Sequence, residues 1–261
     1  MNSMLKIDTD DRHVTTITLD RHEVHNAFNA ALIAQLDEAF DQVAEAGPRV
    51  LVLTGAGDSF SAGADLNWMR SMIDASEVDN RADARRLASM LRKLDRLPCP
   101  TIARVNGSAF GGGVGLIACC DLAVTSDAAR FGLTEVRLGL APATIAPFVI
   151  DRIGVQHARR YMLTGERMDA PTACRIGLVT EVVAPEQLDD RIEGFVDGLL
   201  SGGPRAQAHI KELIRTVTDH SGDREALDRL TSELIAALRV SREGQEGLAA
   251  FFDRRRPDWG Y

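Results

Sequence analysis

TIARVNGSAFGGGVGLIACC, residues 101–120, is the stretch that decides the fold. Residues 101–105 are short, apolar and β-prone, as a strand is. A loop follows, and then the glycine triplet 111–113 runs straight into the apolar segment 114–120, which opens as a helix. Residues 122–125 return to strand character. The same order occurs one step earlier. Residues 50–54 (VLVLT) form a continuous apolar run of the kind buried on both faces of a sheet. A glycine-rich loop spans 55–63, and two helical stretches come after it. Strands alternating with helices predict α/β units and parallel pairing.

Working outward, residues 14–19 (VTTITL) read as a strand and Asn29 as the cap of a helix. In that helix Leu32, Ile33, Leu36, Phe40 and Val43 recur at helical spacing, and Gly47-Pro48 ends it. Leu87, Met90, Leu91, Leu94 and Leu97 share one face of a later helix, which Pro98 and Pro100 stop. Strand signals vanish after Val183. Helical patterns then cover 187–200, 205–218, 225–240 and 242–255. The expected division is an α/β core over residues 1–195 and a helical C-terminal region over 196–261. An appendage of about 65 residues is small for a core of its own, so it packs on the first part or on a neighbouring subunit.

Composition excludes several classes. Of 261 residues, 45% are hydrophobic and 26% charged, an ordinary globular balance. No run of about 18 apolar residues is present to span a membrane. The net charge of −8 argues against nucleic-acid binding, which needs a basic face. Arg85, Arg86, Arg92, Lys93 and Arg96 read as a solvated helix face. The four cysteines, Cys99, Cys119, Cys120 and Cys174, have no metal-ligand spacing and no histidine at a matching interval, so they read as small apolar fillers in a reducing compartment. No metal is expected. Residues 1–11 lack the apolar core of a signal peptide, and the cytoplasm is the expected location.

Two loops carry chemistry: FSAGADL (60–66) and NGSAFGGGVG (106–115), each following a strand and opening a helix. Small residues there let a ligand approach the backbone. Free N–H groups in a first helical turn favour an anion or a developing negative charge. Two such groups from separate loops can grip one oxygen. The triplet lacks the pattern of a nucleotide triphosphate loop, and no dinucleotide fingerprint follows the first strand.

Taken together, FSAGADL, NGSAFGGGVGL, CDLAV (120–124) and ARFGLTEVRLGLAP (129–142) resemble the enoyl-CoA hydratase/isomerase (crotonase) superfamily. The resemblance runs from HNAFN (25–29) to EGLAAFFDRRRPDW (246–259), nearly the whole chain. It implies a crotonase-like spiral of ββα units, a helical C-terminal trimerisation region, and a homotrimer or dimer of trimers acting on an acyl-CoA. CoA arrives as part of the substrate, and no separate cofactor is implied. By motif, the thioester oxygen lies between the N–H groups of Ala64 and Gly112. Of the two carboxylates of family hydratases, one falls on Glu135; the position of the other holds Gly115. Apolar neighbours raise the pKa of such a glutamate towards a range suited to proton shuttling.

One carboxylate suits a double-bond shift from position 3 to 2, as in Δ3,Δ2-enoyl-CoA isomerases. It also suits hydration if other groups hold the water. GADLNWM (63–69), TEVRLGLAPATIAPFVI (134–150) and VSREGQEGLAAFF (240–252) look most similar to bacterial 3-methylglutaconyl-CoA and γ-carboxygeranoyl-CoA hydratases, which favours hydration of a branched, carboxylated 2-enoyl-CoA. A non-catalytic acyl-CoA-binding protein is the alternative of another class. By the same resemblance His25 faces the CoA phosphates. Ala62, Asp65 and Leu66 follow the adenine and pantetheine path, with Gly111 beside it, and Trp68 with Met69 floors the acyl pocket or packs in the core. Arg70 and Arg137 are candidates for a distal substrate carboxylate, and Arg254, Arg255 and Arg256 for CoA phosphates or a solvated terminus.

Overall fold

The computed structural model describes residues 3–220 and 222–260. The chain starts with β1 (Leu5–Thr9), β2 (Val14–Leu19) and helix α1 (Ala30–Ala46). A strand–strand–helix unit then repeats. The first is β3 (Val50–Gly55) and β4 (Ser59–Ser61) with α2 (Leu66–Ile73) and α3 (Glu77–Asp95). Next come β5 (Thr101–Val105), β6 (Ser108–Phe110) and α4 (Gly112–Cys119), then β7 (Leu122–Ser126), β8 (Arg130–Gly132) and α5 (Ala146–Thr164). The α/β part closes with β9 (Arg167–Asp169), α6 (Ala170–Arg175) and β10 (Glu181–Val183).

Within each unit the two strands enter different sheets. One sheet has the order β1-β2-β3-β5-β7-β10, parallel except at β1/β2. The other has the order β4-β6-β8-β9, parallel except at β8/β9. The result is the α/β spiral the motifs imply. Every residue of β3 is buried, as its unbroken apolar run requires of a strand paired on both sides. Asn29 caps α1 as expected, accepting from the Leu32 amide at 2.8 Å, an interaction worth about 1 kcal/mol. Cys99, Cys119 and Cys120 are free and buried, and burial pushes the Cys99 thiol up to about 11 and the Cys120 thiol up to about 12.

Two features differ from the expectation. Strand β1 lies where no strand is expected; residues 5–8 alternate apolar and polar, but only Leu5 is buried, and the strand is held by antiparallel pairing with β2. Helix α7 (Leu188–Leu200) runs through residue 195 and belongs to the α/β part. It packs Leu188, Ile192 and Val196 on Val14, Val50, Val52, Ile102 and Val124 of the larger sheet. The helices beyond it are α8 (Pro204–Asp219), α9 (Arg224–Val240) and α10 (Arg242–Asp253). Among the described residues of these three, only Ala250 is fully buried. Lys211 fastens α8 to the core by donating to Asp121 Oδ2 at 2.7 Å and Cys99 O at 3.0 Å. Ile210, Ile214, Val217, Leu248, Phe251 and Phe252 face outward. No described helix is long and apolar enough to cross a membrane.

Candidate active site

The first loop leaves β4 and reaches α2 over residues 62–65. Ala62 N–H donates to His25 O at 2.9 Å. Two residues on, the Phe28 amide donates to Gly63 O at 2.6 Å and the Asp65 amide to Phe28 O at 2.8 Å. Gly63 and Asp65 therefore turn their bonds towards residue 28, and the Ala64 N–H between them points the opposite way. A normal extended chain would aim the amides of residues 62 and 64 alike. Gly63, at φ +86°, breaks that alternation, and a Cβ on it would stand 2.9 Å from Phe110 O.

The second loop leaves β6 and opens α4. Gly111 N–H donates to Gly132 O at 3.0 Å. Gly112 is the first residue of α4, so its N–H has no intrahelical acceptor. The two loops touch: a Cβ on Gly63 would lie 3.7 Å from the Gly111 Cα. The free amides of Ala64 and Gly112 thus sit on adjoining loops.

Glu135 comes to the same place from a short 3₁₀ turn after β8. A Cβ on Gly111 would stand 2.9 Å from its Oε1. Its Oε2 is buried and has no hydrogen-bond partner in the protein. Burial raises this carboxyl above its ordinary value. A buried carboxyl oxygen with no partner is costly, and a polar group delivered by substrate or water satisfies it.

At position 115, where family hydratases have a second glutamate, the space is already full. A Cβ on Gly115 would lie 2.5 Å from Ile145 Cγ2, 3.0 Å from Ile145 Cβ and 3.6 Å from Leu91 Cδ2. Ile145 and Leu91 are buried, so an apolar wall occupies that position. The site therefore combines two unsatisfied main-chain donors with one desolvated carboxyl group. Such a set can hold an oxygen that gains negative charge and move a proton beside it.

The remaining candidates spread outward from this point. Ala62 and Leu66 are exposed. Asp65 is buried and takes Arg21 Nη2 at 3.0 Å together with the amides of Asn67 and Trp68. Desolvation pushes its carboxyl up, but Arg21 and those two amides outweigh it and hold the group below its ordinary value. It acts here as the cap of α2. Half-buried Trp68 donates its indole N–H to Asp83 Oδ2 at 3.1 Å, tying α2 to α3, and it packs against the core. His25 is exposed, with Nδ1 3.1 Å from Ser59 Oγ. Arg70 is exposed; Arg137, also exposed, lies against Gly165. Arg255 pairs with Glu246 at 2.6 Å.

Four residues near the site carried no signal in the sequence. Asn26 is fully buried and left-handed; its Nδ2 donates to Ala56 O and Ser59 O at 2.9 and 2.8 Å, and its Oδ1 accepts from the Arg21 amide at 3.0 Å. Arg21, Phe28 and Ile145 are the others. Each acts across the fold on a residue 30 or more positions away, which no local pattern encodes. Asn26 and Phe28 fall inside the quoted block 25–29 and Ile145 inside 134–150, but nothing in those blocks marks their role; His25 and Asn26 are both at positive φ.

Residues 9–261 match the family model described as Enoyl-CoA hydratase/isomerase. The chain is 42% identical to a crystal structure of an enoyl-CoA hydratase from Shewanella pealeana, with a TM-score of 0.94 over 98% of this chain and 96% of that one. It is 30% identical over 247 residues to the short-chain-enoyl-CoA hydratase of Clostridium acetobutylicum, covering 93% of this chain and 92% of the relative. It is also 31% identical over 253 residues to the trans-2-decenoyl-[acyl-carrier-protein] isomerase of Streptococcus mutans, covering 95% and 94%. The fold, the paired loops and these likenesses agree: the chain belongs to the enoyl-CoA hydratase/isomerase family and has the crotonase architecture.

Proposed function

We propose that this protein adds water reversibly to the double bond of a 2-enoyl-CoA thioester. The observation that carries the reading is the buried, partnerless Oε2 of Glu135 beside the turn that presents the Gly112 amide. The amides of Ala64 and Gly112 hold the thioester oxygen as charge develops on it in an enolate-like transition state. Loss of one such donor typically costs roughly 2.7–4 kcal/mol of barrier. Glu135 takes a proton from water as its oxygen bonds to Cβ, and returns a proton to Cα. With Gly115 at the second carboxylate position and Ile145 filling the space beside it, one carboxyl group serves both steps.

The acyl group in this reading is branched and carboxylated, of the 3-methylglutaconyl type, on the likeness of residues 63–69, 134–150 and 240–252 to hydratases of such substrates. His25, Ala62, Asp65, Leu66 and Gly111 mark the side from which CoA approaches, and Trp68 the acyl side. The outward apolar residues of α8 and α10 suit subunit contact in a homotrimer or dimer of trimers. The free thiols suit the reducing cytoplasm.

Two incubations test the reaction: 3-methylglutaconyl-CoA and a 3-enoyl-CoA, each followed by the absorbance of the conjugated thioester. Loss of absorbance with the first supports hydration. Turnover of the second alone overturns it in favour of a double-bond shift. Tight binding of both with turnover of neither leaves a binding protein.

A further inference from the structure

We propose that Phe28 is a positioning residue that sets the spacing between the Ala64 and Gly112 amides. This rests on the reading of those amides as the pair that holds the thioester oxygen. Phe28 meets both loops, each with a different part of itself. Its backbone brackets Ala64: the N–H donates to Gly63 O at 2.6 Å, and the C=O accepts from Asp65 N at 2.8 Å. Its ring lies against Gly112: a Cβ there would stand 2.6 Å from Phe28 Cε2, 2.8 Å from Cδ2 and 3.6 Å from Cζ. Gly112 carries no side chain, so the ring edge abuts the backbone that presents the second amide. One amide is fixed by hydrogen bonds to residue 28 and the other by van der Waals contact with the same residue.

The residue is itself held on both sides. Asn26 anchors the preceding backbone through Arg21, Ala56 and Ser59, and Asn29 caps α1 directly after it. The ring is 1% exposed, so it cannot swing aside into solvent. A shorter aliphatic side chain removes the stop against which the first turn of α4 rests. Close-packed interiors transmit such a change as a displacement of the neighbour. A misplacement of about 1 Å in a catalytic group costs about 10²-fold in rate.

The test is Phe28→Leu, read in two ways. Steady-state kinetics are expected to show kcat lowered by about 10- to 100-fold with KM nearly unchanged. Isotope-edited infrared difference spectra of a bound enoyl-CoA, labelled at the thioester carbonyl, are expected to show a smaller red shift of the carbonyl stretch than in the parent protein. Phe40→Leu is the control: Phe40 is equally buried in α1 but outside both loops, and it is expected to lose stability while keeping the full red shift. Phe28→Met, nearer in volume, carries the same two readouts if Phe28→Leu does not fold. An undiminished red shift and normal kcat in the Phe28 variants overturn the spacer role alone. Absence of a red shift in the parent protein overturns the paired-amide reading and the spacer with it.

Discussion

The turn of residues 111–115 and the helices α8–α10 are built on opposite terms. In the turn, a Cβ on Gly111, Gly112, Gly113 or Gly115 would meet Glu135, Phe28, Ser61 or Ile145 at 2.9, 2.6, 2.7 and 2.5 Å respectively. The backbone there is shaped by neighbours from four separate parts of the chain. On α8–α10 Ile210, Ile214, Leu248, Phe251 and Phe252 point outward, and Phe251 and Phe252 are 77% and 76% exposed. The turn is packed closely on all sides, whereas the helices leave large apolar side chains exposed. Tolerance to substitution should therefore differ sharply between the two regions.

Four predictions press on that contrast. The largest effect belongs to Glu135→Gln, which is expected to lower turnover by about 10²- to 10⁴-fold while acyl-CoA binding survives; stopped-flow rates and calorimetric titration check both halves. Gly115→Glu comes next. Overpacking against Ile145 costs about 1–3 kcal/mol, and an unpaired buried charge adds to it, so thermal unfolding is expected several degrees lower. Pairing it with Ile145→Gly opens space and should recover much of the loss. A failure to recover would show that the wall at Ile145 is not what excludes a carboxylate.

The third prediction concerns pH. In the proposed hydration Glu135 has to be ionised to accept a proton from water, and burial raises its pKa. The acid limb of kcat/KM is therefore expected above the ordinary glutamate value of about 4.3. The sign for stability runs the other way. Between the unfolded and the raised folded pKa the native state binds more protons, so stability falls as pH rises through that window. Glu135→Gln should remove this slope and be the more stable protein at neutral pH, measured by urea unfolding at two pH values. The smallest effect on turnover is expected from Ile214→Ser on the open face of α8. Light scattering should instead show a reduced assembled mass.

Much of the fold was legible because its longer elements announce themselves. The buried run at 50–54 and the apolar face of α1 settle strand and helix by local pattern alone. The four C-terminal helical patterns fall within a few residues of α7–α10. The second sheet was not legible. Its strands β4, β6, β8 and β9 are three residues each, too short for any alternation to show. In the site, the glycines and Glu135 stand in recognisable blocks. Phe28, Asn26 and Ile145 also lie in quoted blocks, but their roles are not legible there, because what they do depends on which distant residues they meet. The expected division at residue 195 falls inside α7, which reads like the helices after it; only its packing on the larger sheet sets it apart.

The chain has two tryptophans, one on α2 near the candidate site and one just after α10. The Trp68 indole bonds to Asp83 between α2 and α3, a few residues from Ala64. Trp259 donates to Ser201 O at 3.2 Å and lies over Gly247 of α10. Intrinsic fluorescence thus contains two native optical probes with separate addresses. Replacing either by phenylalanine leaves a single emitter, so ligand arrival at the first and loosening of the tail at the second become separately observable without any added dye.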